Sequence, residues 1–115
     1  GLSKAGIAMR DKLAVMKGTD MFTAKVAQRR KTVRIGGKLV DQRIITDVRN
    51  LKGEPITDHL VLTIGREIPA VPITYARIVP GCNIKFEGKP QKYTRANGTQ
   101  DYTLFVKKLV ESKME

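Results

Sequence analysis

Asp58 and His59 are the adjacent side chains whose types could carry acid–base or metal chemistry. His59 is the only histidine of the chain and Cys82 is the only cysteine, so the ligands that would complete a tetrahedral zinc site are missing. No glycine-rich phosphate loop or serine motif accompanies the pair, so a nucleophile is missing as well. The sequence therefore predicts no catalytic residue, no metal site and no cofactor, and a protein that is not an enzyme.

The same residues have simpler predicted roles. Asp58 falls on the inward-facing parity of its strand, where we expect its carboxylate to accept local hydrogen bonds from a backbone N–H or from Thr57. His59 falls on the outward parity and is a candidate contact for a base or a phosphate. Cys82 follows a Pro-Gly turn, and we expect it to be a small buried apolar side chain.

The charge of the chain favours a polyanionic partner. A total of 22 Lys and Arg against 11 Asp and Glu gives a net charge of +11 and a pI near 10.1. The excess is concentrated, because the segment from Lys25 to Lys52 holds nine basic residues and two acidic ones. Such clustering favours nucleic acid binding, although charged tips also keep β-ribbons soluble and unpaired.

Two predicted β-ribbons, around Gly36-Gly37 and around Asn97-Gly98, carry most of the candidate binding residues. We expect the fold to bring both to one rim, where cationic side chains track the backbone and flat side chains stack on bases. Tyr93 is the predicted stacking residue, whereas Phe22 and Phe86 fall on inward parity. The candidate nucleic-acid-binding residues are Arg29, Arg30, Lys31, Arg34, Lys38, Arg43, Arg49, Lys52, His59, Lys89, Lys92, Tyr93 and Arg95.

The elements that must position these residues are mainly strands. Alternation of apolar and polar residues predicts strands over residues 21–35, 39–50, 56–64, 84–93 and 101–110. A parity change after Val26 requires a bulge or bend in the first strand. The expected inward-facing residues include Phe22, Ala24, Val26, Val40, Ile44, Val48, Ile56, Leu60, Leu62 and Ile64.

The remaining segments are predicted as a helix, a crossover and a tail. Residues 3–17 form an expected helix that Gly18 ends, with Met9, Leu13 and Met16 on its apolar face. This helix either packs on the core or docks on a partner. Prolines between residues 65 and 81 predict an irregular crossover with one helical turn around residues 74–78. Residues 111–115 are polar and are expected to fray.

A meander, a crossover and a final hairpin favour one architecture. The layout is typical of a mainly all-β, five-stranded Greek-key barrel of the OB-fold type, here with an N-terminal α-helix. An SH3-like barrel is the competing interpretation. The domain organisation would be an extension over residues 1–18 and the barrel over residues 19–115. The single cysteine suits a reducing, cytoplasmic location, and no stretch reaches the about 18–20 apolar residues of a membrane-spanning helix.

Three short runs resemble sequences of small OB-fold proteins from phages and other mobile genetic elements. They are DVRNLKGEPITDHLVL over residues 47–62, PGCNIKFEG over residues 80–88 and DYTL over residues 101–104. The resemblance covers about residues 22–110 and implies a module that binds single-stranded DNA with little sequence specificity during replication of the element. Val61 departs from the pattern, which has an aromatic residue there, so a stacking role would lie elsewhere.

Two other functions stay open on the sequence. In one, the chain is a protein-interaction adaptor whose barrel or N-terminal helix docks on a replicative helicase, primase or polymerase. In the other, the barrel binds structured RNA, which positive charge alone does not distinguish from DNA.

Overall fold

The fold was determined as a computed structural model that describes residues 13, 16, 18–30, 32–35, 37–65, 77–94 and 96–114. Within these residues, no helix is long and apolar enough to cross a membrane. Six strands are described: β1 (Asp20–Arg29), β2 (Val33–Ile35), β3 (Lys38–Asn50), β4 (Pro55–Gly65), β5 (Cys82–Thr94) and β6 (Gln100–Met114).

The strands close into a mixed β-barrel. The sheet order is β1-β5-β6-β4-β3-β2, and an additional pairing of β1 with β3 closes the ring. All pairings are antiparallel except that of β4 with β6, which is parallel. β1 and β2 both pair with β3 and act as one bent strand, so the barrel has the five strands and the Greek-key order predicted from the sequence.

The bend in the first strand follows from local irregularities. The register of β1 against β3 shifts between Val26 and Gln28, and regular pairing stops before β2 begins at Val33. This break confirms the predicted bulge, since side chains must change face where the strand turns from one partner to the next.

β3 contains a second irregularity that overturns one prediction. Asp47 has a φ of 51°, and the register of β1 against β3 shifts at this point. The extra residue places Ile45 and Val48, both fully buried, three positions apart. Ile44 was predicted to face inward, but it is only half-buried and lies on the outer surface.

The core lies inside the barrel, where the rings of Phe22 and Phe86 meet at a centroid distance of 5.8 Å. The predicted inward residues of β1 and β4 are all buried. Leu13 is buried in the same core and Met16 packs against it, so these two residues favour a packing helix over a docking one. Gly18 has a φ of 77°, as expected of a glycine that ends a helix; the rest of residues 3–17 lies outside the described residues.

The crossover is held to the barrel by Arg43, an inward-facing residue of β3. Its side chain is buried, and its Nε donates to the carbonyl oxygen of Ile78 at 2.8 Å. Its Nη1 donates to the carbonyl oxygen of Gln42 at 3.0 Å. Buried charges need such partners, so Arg43 joins β3 to the end of the crossover. Most of the predicted helical turn at residues 74–78 lies outside the described residues.

The end of β6 differs from the predicted frayed tail. Residues 111–114 continue the strand and pair with the start of β5, where Cys82 lies opposite Met114. The sulfur atoms of these two residues are 3.2 Å apart, and Cys82 is buried as predicted. Backbone pairing therefore outweighs the polar character of these side chains.

Candidate nucleic-acid interface

The outer surface of β3, β4, β6 and β5 forms a continuous four-strand face. Leu60, Leu62 and Leu104 point into the core, so alternate residues of the same strands point outward. The pairing register aligns these outward residues in two rows. We call the two rows the outer patch: Gln42–Thr63–Phe105–Lys89 and Ile44–Val61–Thr103–Gln91.

Phe105 supplies an aromatic ring to the outer patch. It is half-buried, and the Nζ of Lys107 lies 5.9 Å from the ring centroid on the same face. Half-buried Ile44 and Val61 continue the apolar surface in the neighbouring row. Because Phe105 pairs with Thr63, it lies close to Val61, where the sequence resemblance lacked its expected aromatic residue.

Hydrogen bonds join three side chains at the centre of the outer patch, and we call Gln42, Thr63 and Thr103 the hydrogen-bonded row. The Nε2 of Gln42 donates to the hydroxyl of Thr63 at 3.4 Å, and the hydroxyls of Thr63 and Thr103 are 2.9 Å apart. Thr103 donates to the carbonyl oxygen of Val61 at 2.5 Å. Both threonines are buried, so the Gln42 amide is the accessible polar group of the hydrogen-bonded row.

Two lysines and the chain's histidine border the outer patch. Lys89 ends the first row, Lys107 follows Phe105, and His59 lies opposite Thr46 one position beyond the second row. Within the part of the chain described, neither lysine is in an ion pair. Unpaired cations beside an aromatic surface are the two components that single-stranded nucleic acids need.

The two predicted basic ribbons lie at different ends of this face. Val40, near the β2–β3 tip, pairs with Gly65 at the end of β4. The β5–β6 tip starts at Thr94 and Gln100, and β6 then reaches the level of Val61 at Thr103. The tips therefore lie toward opposite ends of β4 with the outer patch between them, whereas the sequence predicted that both ribbons reach one rim.

Of the predicted site residues, the structure places Lys38, His59, Lys89 and Tyr93 on the outward parity of this face. Lys92 lies on the opposite side of the β5–β6 ribbon from Tyr93, since it pairs with Tyr102, which packs against the core. Arg34 likewise lies on the opposite side of the β2–β3 ribbon from Lys38, and its guanidinium donates to the carbonyl oxygen of Gly37. Strand alternation thus separates residues that adjoin in sequence.

The other predicted residues lie further from the outer patch. Arg43 is buried and holds the crossover, so its guanidinium is not on the surface. Arg49 contacts the carboxylate of Asp47 at 2.8 Å on the side of the barrel that faces β1. Exposed Arg29, Arg30 and Lys52 lie at the end of β1 and on the β3–β4 turn, while Lys31 and Arg95 lie outside the described residues.

Asp58 and His59 form a local pair on the surface. Asp58 was predicted to face inward, but its side chain is 51% exposed, because Thr57 occupies the inward position and donates to the carbonyl oxygen of His59. The Asp58 carboxylate accepts the N–H of His59 at 2.9 Å, which confirms the predicted local hydrogen bond. Nowhere in the described ranges do three His, Cys, Asp or Glu side chains cluster as a metal site.

A second groove, of about 410 Å³, lies where β1, β5 and β6 meet. Lys25, Lys85 and Lys113 line it together with the acidic Asp47 and Glu111. The hydrogen bond from Lys113, 2.7 Å away, and the charge of its ammonium hold the pKa of Glu111 below the ordinary value. The mixed charges make this groove a weaker candidate for a polyanion than the outer patch.

Sequence reasoning missed Phe105, Lys107 and Gln42 as candidate site residues. One signal was present: Phe105 shares its parity with polar Asp101, Thr103 and Lys107, whereas Leu104 and Val106 have the apolar parity. An aromatic residue on the polar side of a strand indicates a ring that lies outside the core.

Comparison with known proteins supports the fold assignment. No protein-family model matches this chain, and no curated protein matches its sequence at a significant level. The dimeric N-terminal domain of the PriB protein from Thermoanaerobacter tencongensis superposes with a TM-score of 0.55 and 20% identity, over 84% of this chain and 97% of that domain. The mitochondrial single-stranded DNA binding protein Rim1 from S. cerevisiae gives a TM-score of 0.41 and 9% identity, over 84% and 93% of the two chains. The strand order and the first of these likenesses together identify the chain as a closed five-stranded OB-fold barrel.

Proposed function

We propose that this protein binds single-stranded DNA across the outer patch, without chemistry of its own. The observation that supports it is the alignment of Phe105, Ile44 and Val61 with Lys89 and Lys107 on one face of the barrel. Phosphates would lie against the lysines while bases stack on the aromatic and aliphatic surface. The net charge of +11 would steer the strand to the protein.

The replication of a mobile genetic element is the biological setting that we propose for this binding, on the sequence resemblance alone. The adaptor that docks on a helicase, primase or polymerase is a separate proposal. It is less favoured, because Leu13 and Met16 of the predicted docking helix already pack against the core.

The test of DNA binding is a titration of a labelled single strand, followed by fluorescence anisotropy, at several salt concentrations. We expect the logarithm of affinity to fall linearly with the logarithm of salt, with a slope of about −3 to −4 if about five phosphates are contacted. The equivalent RNA and a duplex are then added as competitors. Stronger competition by the RNA than by the same DNA strand would favour the RNA-binding alternative. An affinity that does not change with salt would contradict the electrostatic part of the proposal.

Lysines beside the outer patch should account for part of that slope. For the Lys89→Gln and Lys107→Gln variants, we expect weaker binding and a slope shallower by about 0.7 for each phosphate that the variant fails to neutralise. Lys113→Gln is the matched control, because Lys113 is an exposed lysine of β6 that already pairs with Glu111. The same titrations serve for all three variants, and an equal effect of Lys113→Gln would show that net charge matters and position does not.

A further inference from the structure

His59 stands at the border of the outer patch, one position beyond the second row. It shares the outward parity of Val61, lies opposite Thr46 of β3, and has a side chain that is 46% exposed. Histidine is the side chain whose ordinary change of charge falls between about pH 5 and about pH 8. Because His59 is the only histidine of the chain, this change of charge belongs to one ring at a known place.

One ring nitrogen of His59 already faces a carboxylate. Nδ1 lies 3.3 Å from Oδ1 of Asp58, and the same oxygen accepts the backbone N–H of His59 at 2.9 Å. The backbone hydrogen bond holds the carboxylate beside the ring. An ionised carboxylate can only accept hydrogen bonds, so a favourable contact with Asp58 requires a proton on Nδ1.

A phosphate oxygen of a bound strand would be a second acceptor for the same ring. A neutral imidazole carries one N–H, on either Nδ1 or Nε2, whereas the imidazolium carries both. With its single proton on Nδ1, the neutral ring of His59 would present the lone pair of Nε2 to the phosphate. With the proton on Nε2, a lone pair would face Asp58 instead. The imidazolium is therefore the form that donates to both acceptors.

The strands around His59 bring acidic and uncharged groups toward it. On β4 the charged neighbour is Asp58, and β3 presents the uncharged Thr46. On β6, Asp101 lies level with His59, since each stands two residues before the first parallel pair, and Tyr93 of β5 lies opposite Asp101. Asp101 is buried and Asp58 is 51% exposed, so Asp58 is the carboxylate that shares this surface with a bound phosphate.

Resting on the proposed function, we infer that His59 binds a phosphate of the strand as its imidazolium, so that DNA binding takes up a proton and tightens as the pH falls. Above the range in which histidine titrates, the ring is neutral and this contact is lost. Below that range, the ring adds a positive charge to those of Lys89 and Lys107 at the border of the outer patch. Affinity for a polyanion is therefore higher on the acidic side.

The test is an anisotropy titration of an all-thymine strand of about eight nucleotides, a length within the range of one OB-fold, at about pH 7.5 and about pH 5.5. Thymine carries no group that titrates between these values. In about 0.1 M salt we expect about fivefold tighter binding at the lower pH, because one further phosphate contact contributes about 0.7 to the salt slope. The slope itself should become steeper by the same amount at the lower pH.

Two substitutions of His59 separate its charge from its place on the surface. His59→Gln has a polar side chain that does not titrate, so it should bind with the same affinity at both pH values, close to that of the parent at the higher pH. His59→Lys is charged throughout and should bind at both pH values about as tightly as the parent at the lower pH. Lys113→Gln is the matched control and should keep the pH dependence of the parent, because Lys113 pairs with Glu111 outside the outer patch.

A second measurement follows the ring of His59 itself. A chain with one histidine gives one set of imidazole signals in a proton NMR spectrum. The midpoint of their titration should move to higher pH when the strand is bound, because a neighbouring phosphate favours the charged ring. An unchanged midpoint would overturn the inference even where the affinity varies with pH.

The outcomes separate this inference from the function on which it rests. Salt-dependent binding with equal affinity at both pH values would overturn the role of His59 while leaving DNA binding intact. A pH dependence that persists in His59→Gln would assign the proton uptake to other groups and would overturn the inference equally. Failure of the parent to bind at either pH would overturn the proposed function and the inference together.

Discussion

Replacing Phe105 by alanine is expected to weaken binding of a single strand by about 5- to 150-fold, equivalent to about 1–3 kcal/mol of stacking free energy. The slope of affinity against salt should stay nearly unchanged, because the ring carries no charge and Lys107 remains in place. The measurement is the anisotropy titration of the variant at several salt concentrations, after its unfolding transition has been compared with that of the parent.

Tyr93→Ala is the companion to this variant. Tyr93 is half-buried on the same outward parity, opposite Asp101 near the β5–β6 tip, and was the stacking residue predicted from the sequence. If the strand follows the outer patch, Phe105→Ala should have the larger effect. A large loss of affinity with Tyr93→Ala and none with Phe105→Ala would move the site to the hairpin tip.

Gly88→Ala is expected to lower the free energy of unfolding by about 1–3 kcal/mol, as overpacking of a core does. Gly88 is a buried residue of β5, and a Cβ atom there would lie 2.9 Å from Cε2 of Phe86 and 3.5 Å from Cδ2 of Phe22. The two rings already pack against each other, so neither can move away at no cost. Urea denaturation of the variant should show a lower midpoint with an unchanged m-value.

A double-mutant cycle identifies the cause of that destabilisation. Phe86→Leu should create space beside position 88, so the combined variant should be less destabilised than the sum of the two single changes. Additive effects on the free energy of unfolding would contradict the clash with Phe86. A Gly88→Ala variant as stable as the parent would show that the reduced freedom of the unfolded chain compensates for the contact.

Much of the barrel could be predicted from the sequence because strands have a period of two. Regular alternation identified Phe22, Ala24 and Val26 in β1 and Leu60, Leu62 in β4, where pairing with β3 or β5 is regular. Ile44 was wrongly predicted to face inward, because an extra residue at Asp47 changes the alternation of β3. The residue type alone does not predict the left-handed backbone of Asp47. Residues 111–114 were predicted to fray because their side chains are polar, but their backbone hydrogen bonds to β5 keep them in the strand.

The candidate site was harder to predict than the fold. Lys89 and His59 could be identified as candidate site residues from their residue types. The sequence could not show that the Arg43 side chain points inward and donates to the carbonyl oxygen of Ile78. The parity of β6 places Phe105 outside the core, but the sequence could not show that Thr63 and Lys89 are its neighbours across the sheet. The hydrogen-bonded row joins the neighbouring strands β3 and β4 to β6, which is distant in sequence, and only the register reveals it.

The parallel pairing of β4 with β6 has a consequence for the order of folding. β6 is the last of the six described strands in sequence, yet it lies between β4 and β5 in the sheet. While the chain is being synthesised, one edge of β4 therefore stays open until β6 has left the ribosome, and the barrel cannot close. Long-range contacts of this kind slow folding, because loop closure must precede the contacts that stabilise it. Barrel closure should thus be a late event in folding, with the open edge of β4 most exposed to aggregation before it.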